Sequence, residues 1–458
     1  MKYKGLRVLL VSSRPPEHSA GLGASMVKAL QDKGCTVDFL SLYPSTQEND
    51  FTVFPVLAQP PRATGDITQN VGRFARHVKD TLLPVARIAK KIIFLFSKKR
   101  KMASFSAGSG FVYPDESSPA INPELLLAAI PSTAEYDLIV TLFWQNMLNS
   151  TSLRALSHRF NAPVYIFAVD MAPITGGCFY FNSCVRYKSG CGQCPCLMSD
   201  DPQDRSHTNY LTKESNYSNM PVYYLGNSWM IERALASRLF NEGTVLNMGM
   251  IIDETIFSPH RSPENRQRLN IPCGKDIVLL VRSSDAKRKG ADIIVYAAEY
   301  LQAHLPAELA ERICWLAIGD RTLKEEFAKK KIALVSLGYV DLDTLVTAYR
   351  ESSLFLNPST DDAGPSMVNQ SIMCGTPVVS FNLGTAVDVI KDGISGFKTD
   401  DISAKGFAVT LEGAIRALTH RTYPDLREST RATALRHNTS AVFADKLLSH
   451  FDSCRHGY

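Results

Sequence analysis

The sequence predicts an α/β protein built on parallel sheets, and three observations carry that expectation. Short apolar runs recur as buried strands at 6–11, 136–141, 164–168, 277–282, 313–318 and 378–381, and several are followed by helix-period stretches. Glycines and polar turns close these runs, so strand, loop, helix and next strand follow one another as βαβ units. At 458 residues the chain exceeds one ordinary core, and two domains are expected.

A hydrophobic content of 45% with 21% charged residues is that of a soluble globular enzyme. No stretch approaches the roughly 20 apolar residues of a transmembrane helix. The basic start MKYKGLRVLLVSS opens a strand and does not read as a signal peptide. Ten cysteines without an export signal argue for a reducing compartment, hence a cytoplasmic protein. The net charge of +5 is uneven: residues 71–101 hold ten Lys or Arg against Asp80 alone, which leaves the remainder of the chain acidic.

In chain order, the first strand leads through a loop to Gly21 and Gly23, then to a helix carrying Met26, Val27 and Leu30 and a second strand at 37–40. Residues 84–101 place Val85, Ile88, Ile92, Leu95 and Phe96 on one helical face beside a basic flank. That pattern fits peripheral contact with the inner face of an anionic membrane; a core helix with a solvated flank reads the same way. The strand at 164–168 delivers Asp170 to its carboxyl end, where it is a site acid or the cap of the next turn.

Cys178, Cys184, Cys191 and Cys194 fall within 17 residues, the last pair as Cys-Gly-Gln-Cys. In a reducing compartment this suggests a tetrahedral thiolate site for structural zinc, or a loop packed by Phe179, Tyr180, Phe181 and Tyr187 without metal. Four protein thiolates leave no open position for catalysis.

A hinge is expected near Asp253, dividing a first domain at 1–253 from a second at 254–432, with a terminal helix at 433–458. In the second domain Arg282 and Lys289 flank a strand-to-helix loop, close enough to converge on one pyrophosphate. The chain is organised around 356–379, where a strand ends in an acidic turn containing Asp362, then Gly364-Pro365 and a helix opening at Ser366-Met367. The unpaired amides of that helix suit a phosphate, and Asp362 and Gln370 can hold hydroxyl groups on either side of it.

Cys374-Gly375-Thr376-Pro377-Val378-Val379, with Asp362 and Gln370 before it, resembles the signature of family-4 retaining glycosyltransferases of GT-B fold. Thr175-Gly176-Gly177-Cys178 resembles a loop of one large subgroup, and Arg282 with Lys289-Gly290 resembles its phosphate clamp. The resemblance implies two Rossmann-like domains facing a cleft. The first would take a glycan or lipid-linked acceptor, and the second a nucleotide-sugar donor. It also implies hexosyl transfer with retention, needing no cofactor, in surface polysaccharide or glycolipid synthesis. Asp170, Arg282, Lys289 and Asp362 become the catalytic candidates. Gly21, Gly23, Gly364, Pro365, Ser366, Met367 and Gln370 become the donor-binding ones. The sequence departs from the family at Val169, where the family has His, and at Gln370, where it has Glu. The alternative is therefore a non-catalytic relative that binds a sugar nucleotide or a partner; nucleic acid is not an expected partner.

Overall fold

The computed structural model describes residues 2–16, 21–46, 49–58, 115–117, 119–181, 183–419 and 423–456. The expected basic helix at 84–101 lies outside the described residues. Strands β1 (Arg7–Ser12), β2 (Thr36–Ser41), β3 (Thr52–Pro55), β4 (Leu138–Thr141), β5 (Val164–Phe167), β6 (Val222–Gly226) and β7 (Val245–Asn247) form one sheet, in the order β3-β2-β1-β4-β5-β6-β7. Strands β8 (Ile277–Ser283), β9 (Ile313–Gly319), β10 (Val335–Ser336), β11 (Leu354–Asn357), β12 (Val378–Phe381) and β13 (Gly396–Thr399) form the other, ordered β10-β9-β8-β11-β12-β13. Every pairing between these strands is parallel. Two Rossmann-like domains result, each with its strand order reversing beside its first strand, at β1/β4 and β8/β11. In such sheets a ligand crevice opens at the carboxyl ends, at that reversal.

The helices that build the site are α1 (Leu22–Gln31), α2 (Arg205–Ser218), α3 (Ser228–Ala236), α4 (Ala291–His304), α5 (Leu342–Glu351), α6 (Ser366–Met373), α7 (Tyr423–His437) and α8 (Ser440–His456). The central strands read as continuous apolar runs because helices cover both faces. Val8 to Val11, Val278 to Val281 and Leu354 to Leu356 are all at most 2% exposed. Helix α8 returns to the first domain. Its Phe443 meets Phe167 edge-on at 6.0 Å, and Phe443, Leu447 and Leu448 are buried. Among the described residues no helix is long and apolar enough to cross a membrane.

The last strand of the first sheet, β7, ends at Asn247. The chain there leaves the sheet for the second domain. A Cβ on Gly249 would stand 2.2 Å from the carbonyl oxygen of His437, and the Ile252 amide donates to Asn438 instead of a strand. The segment between the domains is thus clamped by the α7–α8 junction.

Candidate functional site

The site is built where β8 and β11 end. Past β8 the chain makes a 3-10 turn at Lys287–Lys289 and enters α4 through Gly290. Gly290 has a φ of +69°, and a Cβ there would lie 2.4 Å from the carbonyl oxygen of Pro358. Only glycine lets the two loops approach this closely. They are also joined by the Thr360 amide, which donates to the carbonyl of Arg288 at 2.9 Å.

That approach brings together two sequence-named residues, Lys289 and Asp362, and a third, Arg288, that the sequence did not single out. Lys289 Nζ is paired with the Asp362 carboxylate, and Arg288 Nη1 reaches the same oxygen at 3.3 Å. Asp362 is 6% exposed, so both cations meet it out of bulk water. Burial holds the Lys289 ammonium below its usual range, and Asp362 opposes that shift without overcoming it. Arg282 is exposed at the end of β8 and lines one pocket with Lys289, Pro365, Ser366 and Met367. The pocket floor is the start of α6, whose N-cap Pro365 supplies no side-chain cap and whose first turn contains no acid. Two cations and the N-terminus of a helix without a side-chain cap thus border one space, an arrangement suited to a diphosphate.

Gln370 lies one turn further along α6, half-buried, and its Oε1 accepts from the buried Tyr349 hydroxyl of α5 at 3.1 Å. Gly364 sits where a Cβ would come 3.1 Å from the amide nitrogen of Asn227. Asn227 caps α3 of the first domain and donates to the carbonyl of Ala363 at 2.5 Å. The Ser228 amide donates to Asp388 at 2.8 Å, so the second domain satisfies the start of α3.

On the first-domain side Asp170 follows β5. Its carboxylate accepts from the Ala172 amide at 2.9 Å and from Gln145 at 3.2 Å. Burial pushes it up to about 7, against the pull of Ala172, Lys213, Arg14 and Gln145. Val169 beside it is apolar and packs against the core. Gly21 precedes α1 as an N-cap with no side-chain cap, and Gly23 lies where a Cβ would come 3.1 Å from the Phe39 ring.

The cysteine loop comes over this strand end. Cys178, Cys184, Cys191 and Cys194 line one small cavity with Phe181 and Tyr187. None of the four is in a disulfide, and the Gly176 amide donates to Cys191 Sγ at 3.2 Å. Burial pushes Cys178 up to about 12 and Cys191 up to about 11. Among the described residues no three His, Cys, Asp or Glu side chains are arranged to hold a metal ion.

Three parts of the site escaped sequence reasoning. Arg288 was overshadowed by its neighbour Lys289, although the Lys-Arg-Lys run signals both. Tyr180 stood among four aromatics with nothing to single it out. The fully buried pair of Lys213 Nζ and Glu116 Oε1, 3.3 Å apart, links residues with no local pattern to relate them. A larger cavity of about 860 Å3, lined by Arg7, Tyr136, Arg159, Tyr223 and Arg455, lies at the amino ends of the first sheet. It is on the opposite edge from the strand ends that bind ligands in this kind of fold.

Residues 261–429 match the family described as Glycosyl transferases group 1, so the chain carries that domain. A D-inositol 3-phosphate glycosyltransferase of Thermobifida fusca is 28% identical over 199 residues, 41% of this chain and 44% of that protein. Its counterpart in Acidothermus cellulolyticus is 29% identical over 159 residues, 32% of this chain and 35% of the relative. The matched stretches thus span less than half the length of these curated relatives. Among solved structures, sucrose-phosphate synthase from Thermosynechococcus elongatus has a TM-score of 0.61 at 15% identity, covering 99% of this chain and 100% of that one. Anabaena Alr3699/HepE, solved in complex with UDP, has a TM-score of 0.60 at 15% identity, covering 98% and 100%. These neighbours share the GT-B fold.

Proposed function

We propose that this protein is a retaining glycosyltransferase that moves a hexose-type residue from a nucleotide sugar to a glycan or lipid-linked acceptor. The observation that carries the reading is the convergence of Arg282, Lys289 and the uncapped start of α6 on one pocket. The donor diphosphate would sit there, and the charge developing on it as the glycosidic bond breaks would meet the two cations and the helix amides. Asp362 would orient the sugar and Gln370 the ribose, while the first domain, with Asp170 at its strand end, presents the acceptor hydroxyl from the same face. Gly21 and Gly23 open the first-domain side of the cleft. A role in surface polysaccharide or glycolipid assembly at the inner face of a membrane belongs to the same reading.

The test is a titration with UDP, GDP, ADP and dTDP, followed by turnover with the sugar conjugates of whichever binds. One of the four should raise the melting temperature, and Arg282→Ala and Lys289→Ala should both remove that rise. No binding by folded parent protein would end the reading. Val169 and Gln370 favour a second reading, a relative that binds nucleotide without turnover; binding with no transfer to any acceptor would select it.

The cysteine loop is proposed to take up one structural zinc ion through Cys178, Cys184, Cys191 and Cys194, because the four thiols already border one cavity. Elemental analysis of freshly purified protein decides this; a stable, active, metal-free protein would leave the loop held by its aromatic side chains.

A further inference from the structure

We propose that Tyr180 is a positioning residue of the donor site: its ring, carried on the first domain's cysteine loop, holds Arg288 where that arginine ties down the acidic turn at Asp361 and Asp362. The proposal rests on the nucleotide-sugar reading above and adds the means by which the first domain acts on the donor side.

The Arg288 guanidinium stands 3.7 Å from the centre of the Tyr180 ring. From that position its Nη1 donates to the carbonyl of Asp361 at 3.2 Å and to the Asp362 carboxylate at 3.3 Å. Its own carbonyl accepts from Thr360. One residue therefore grips the acidic turn through both backbone and side chain, and its free face rests on the other domain. A planar guanidinium can stack and donate in its plane at once, which an ammonium cannot.

Tyr180 is itself held from both sides. The carbonyl of Phe179 accepts from the Met171 amide at 3.0 Å, next to Asp170. Phe181 stacks on Trp229 of α3 at 5.9 Å, and the Arg233 guanidinium lies 3.5 Å from the centre of the Trp229 ring. The loop's other flank is anchored where Lys213 donates to the carbonyls of Ala172 and Thr175 at 2.8 and 2.7 Å.

Calorimetric titration of the parent, Tyr180→Phe and Tyr180→Leu with UDP, GDP, ADP and dTDP tests this. Phe keeps the aromatic face and should bind within about twofold of the parent. Leu fills similar space without that face and should bind about three- to thirty-fold more weakly. Arg288→Lys, which keeps the charge and loses the planar stack, should reproduce the loss even if the Leu variant folds poorly. In an Arg288→Gln background the Tyr180→Leu change should add nothing. Equal binding by all variants, a Phe variant as weak as the Leu variant, or a Leu effect that persists without Arg288 would each overturn the proposal while leaving the donor reading intact. A parent that binds none of the four nucleotides overturns both.

Discussion

In the second domain the polar groups of the site sit beside the strands that present them. Arg282 lies on β8, Lys289 just beyond it, and Asp362 in the turn after β11. In the first domain the surface facing them is a loop whose shape depends on residues far away in sequence. Lys213 on α2 bonds the carbonyls of Ala172 and Thr175 and pairs with Glu116, itself held by the Ser150 amide and hydroxyl at 2.8 and 2.7 Å. Two sheets wound in the same way thus order their strand ends by different means. Backbone sterics do it on the donor side, while a buried charge network and stacked aromatics do it on the other. The difference teaches that one fold can keep a short-range, motif-like site in one half and leave the other to long-range contacts.

The sharpest way to break this contrast is Lys213→Met. It leaves the Glu116 carboxylate buried without its cation, and the expected loss is about 3–5 kcal/mol of stability in denaturant unfolding. A double replacement, Glu116→Gln with Lys213→Met, should recover part of that loss. If the single change costs less than about 1 kcal/mol, the loop is not held by this pair.

On the donor side the effect should fall on chemistry, with folding little changed. Lys289→Ala and Arg282→Ala should each cut turnover about 100- to 1000-fold in steady-state assays. For Lys289→Ala, Arg288 remains to neutralise Asp362, so the melting temperature should move little. A large loss of stability in either variant would mean the donor side, too, depends on its charge network.

On the first-domain side Asp170 makes stability depend on pH. Its carboxyl rises from an ordinary 3.8 to about 7 because burial disfavours the charged form. The native state therefore takes up the proton more readily than the unfolded chain. That contribution is complete below about pH 4 and is lost as pH rises towards 7. Asp170→Asn should flatten this decline, by on the order of 4 kcal/mol between pH 4 and pH 8 in urea unfolding. An unchanged slope would place the titration elsewhere.

The smallest expected effect belongs to Gln370→Glu. A carboxylate can still accept from Tyr349 and would make a charge-assisted bond to ribose. Nucleoside diphosphate binding should tighten by up to about 1–2 kcal/mol in calorimetry. Weaker binding in a folded variant would show that residue 370 does not face the nucleotide.

The sequence by itself determined the α/β class, the strand at 277–282, the strand that ends near Leu356 and the start of α6 at Ser366. Each depends on periodicity or on turn chemistry within a few dozen residues. Tertiary structure decided the rest. It ended β7 at Asn247 because Gly249 abuts His437, joined Lys213 to Glu116, and chose Tyr180 from four aromatics to stand on Arg288. It also brought four thiols around one cavity. These outcomes depend on distances between segments remote in sequence, and neither side-chain periodicity nor local propensity encodes such distances.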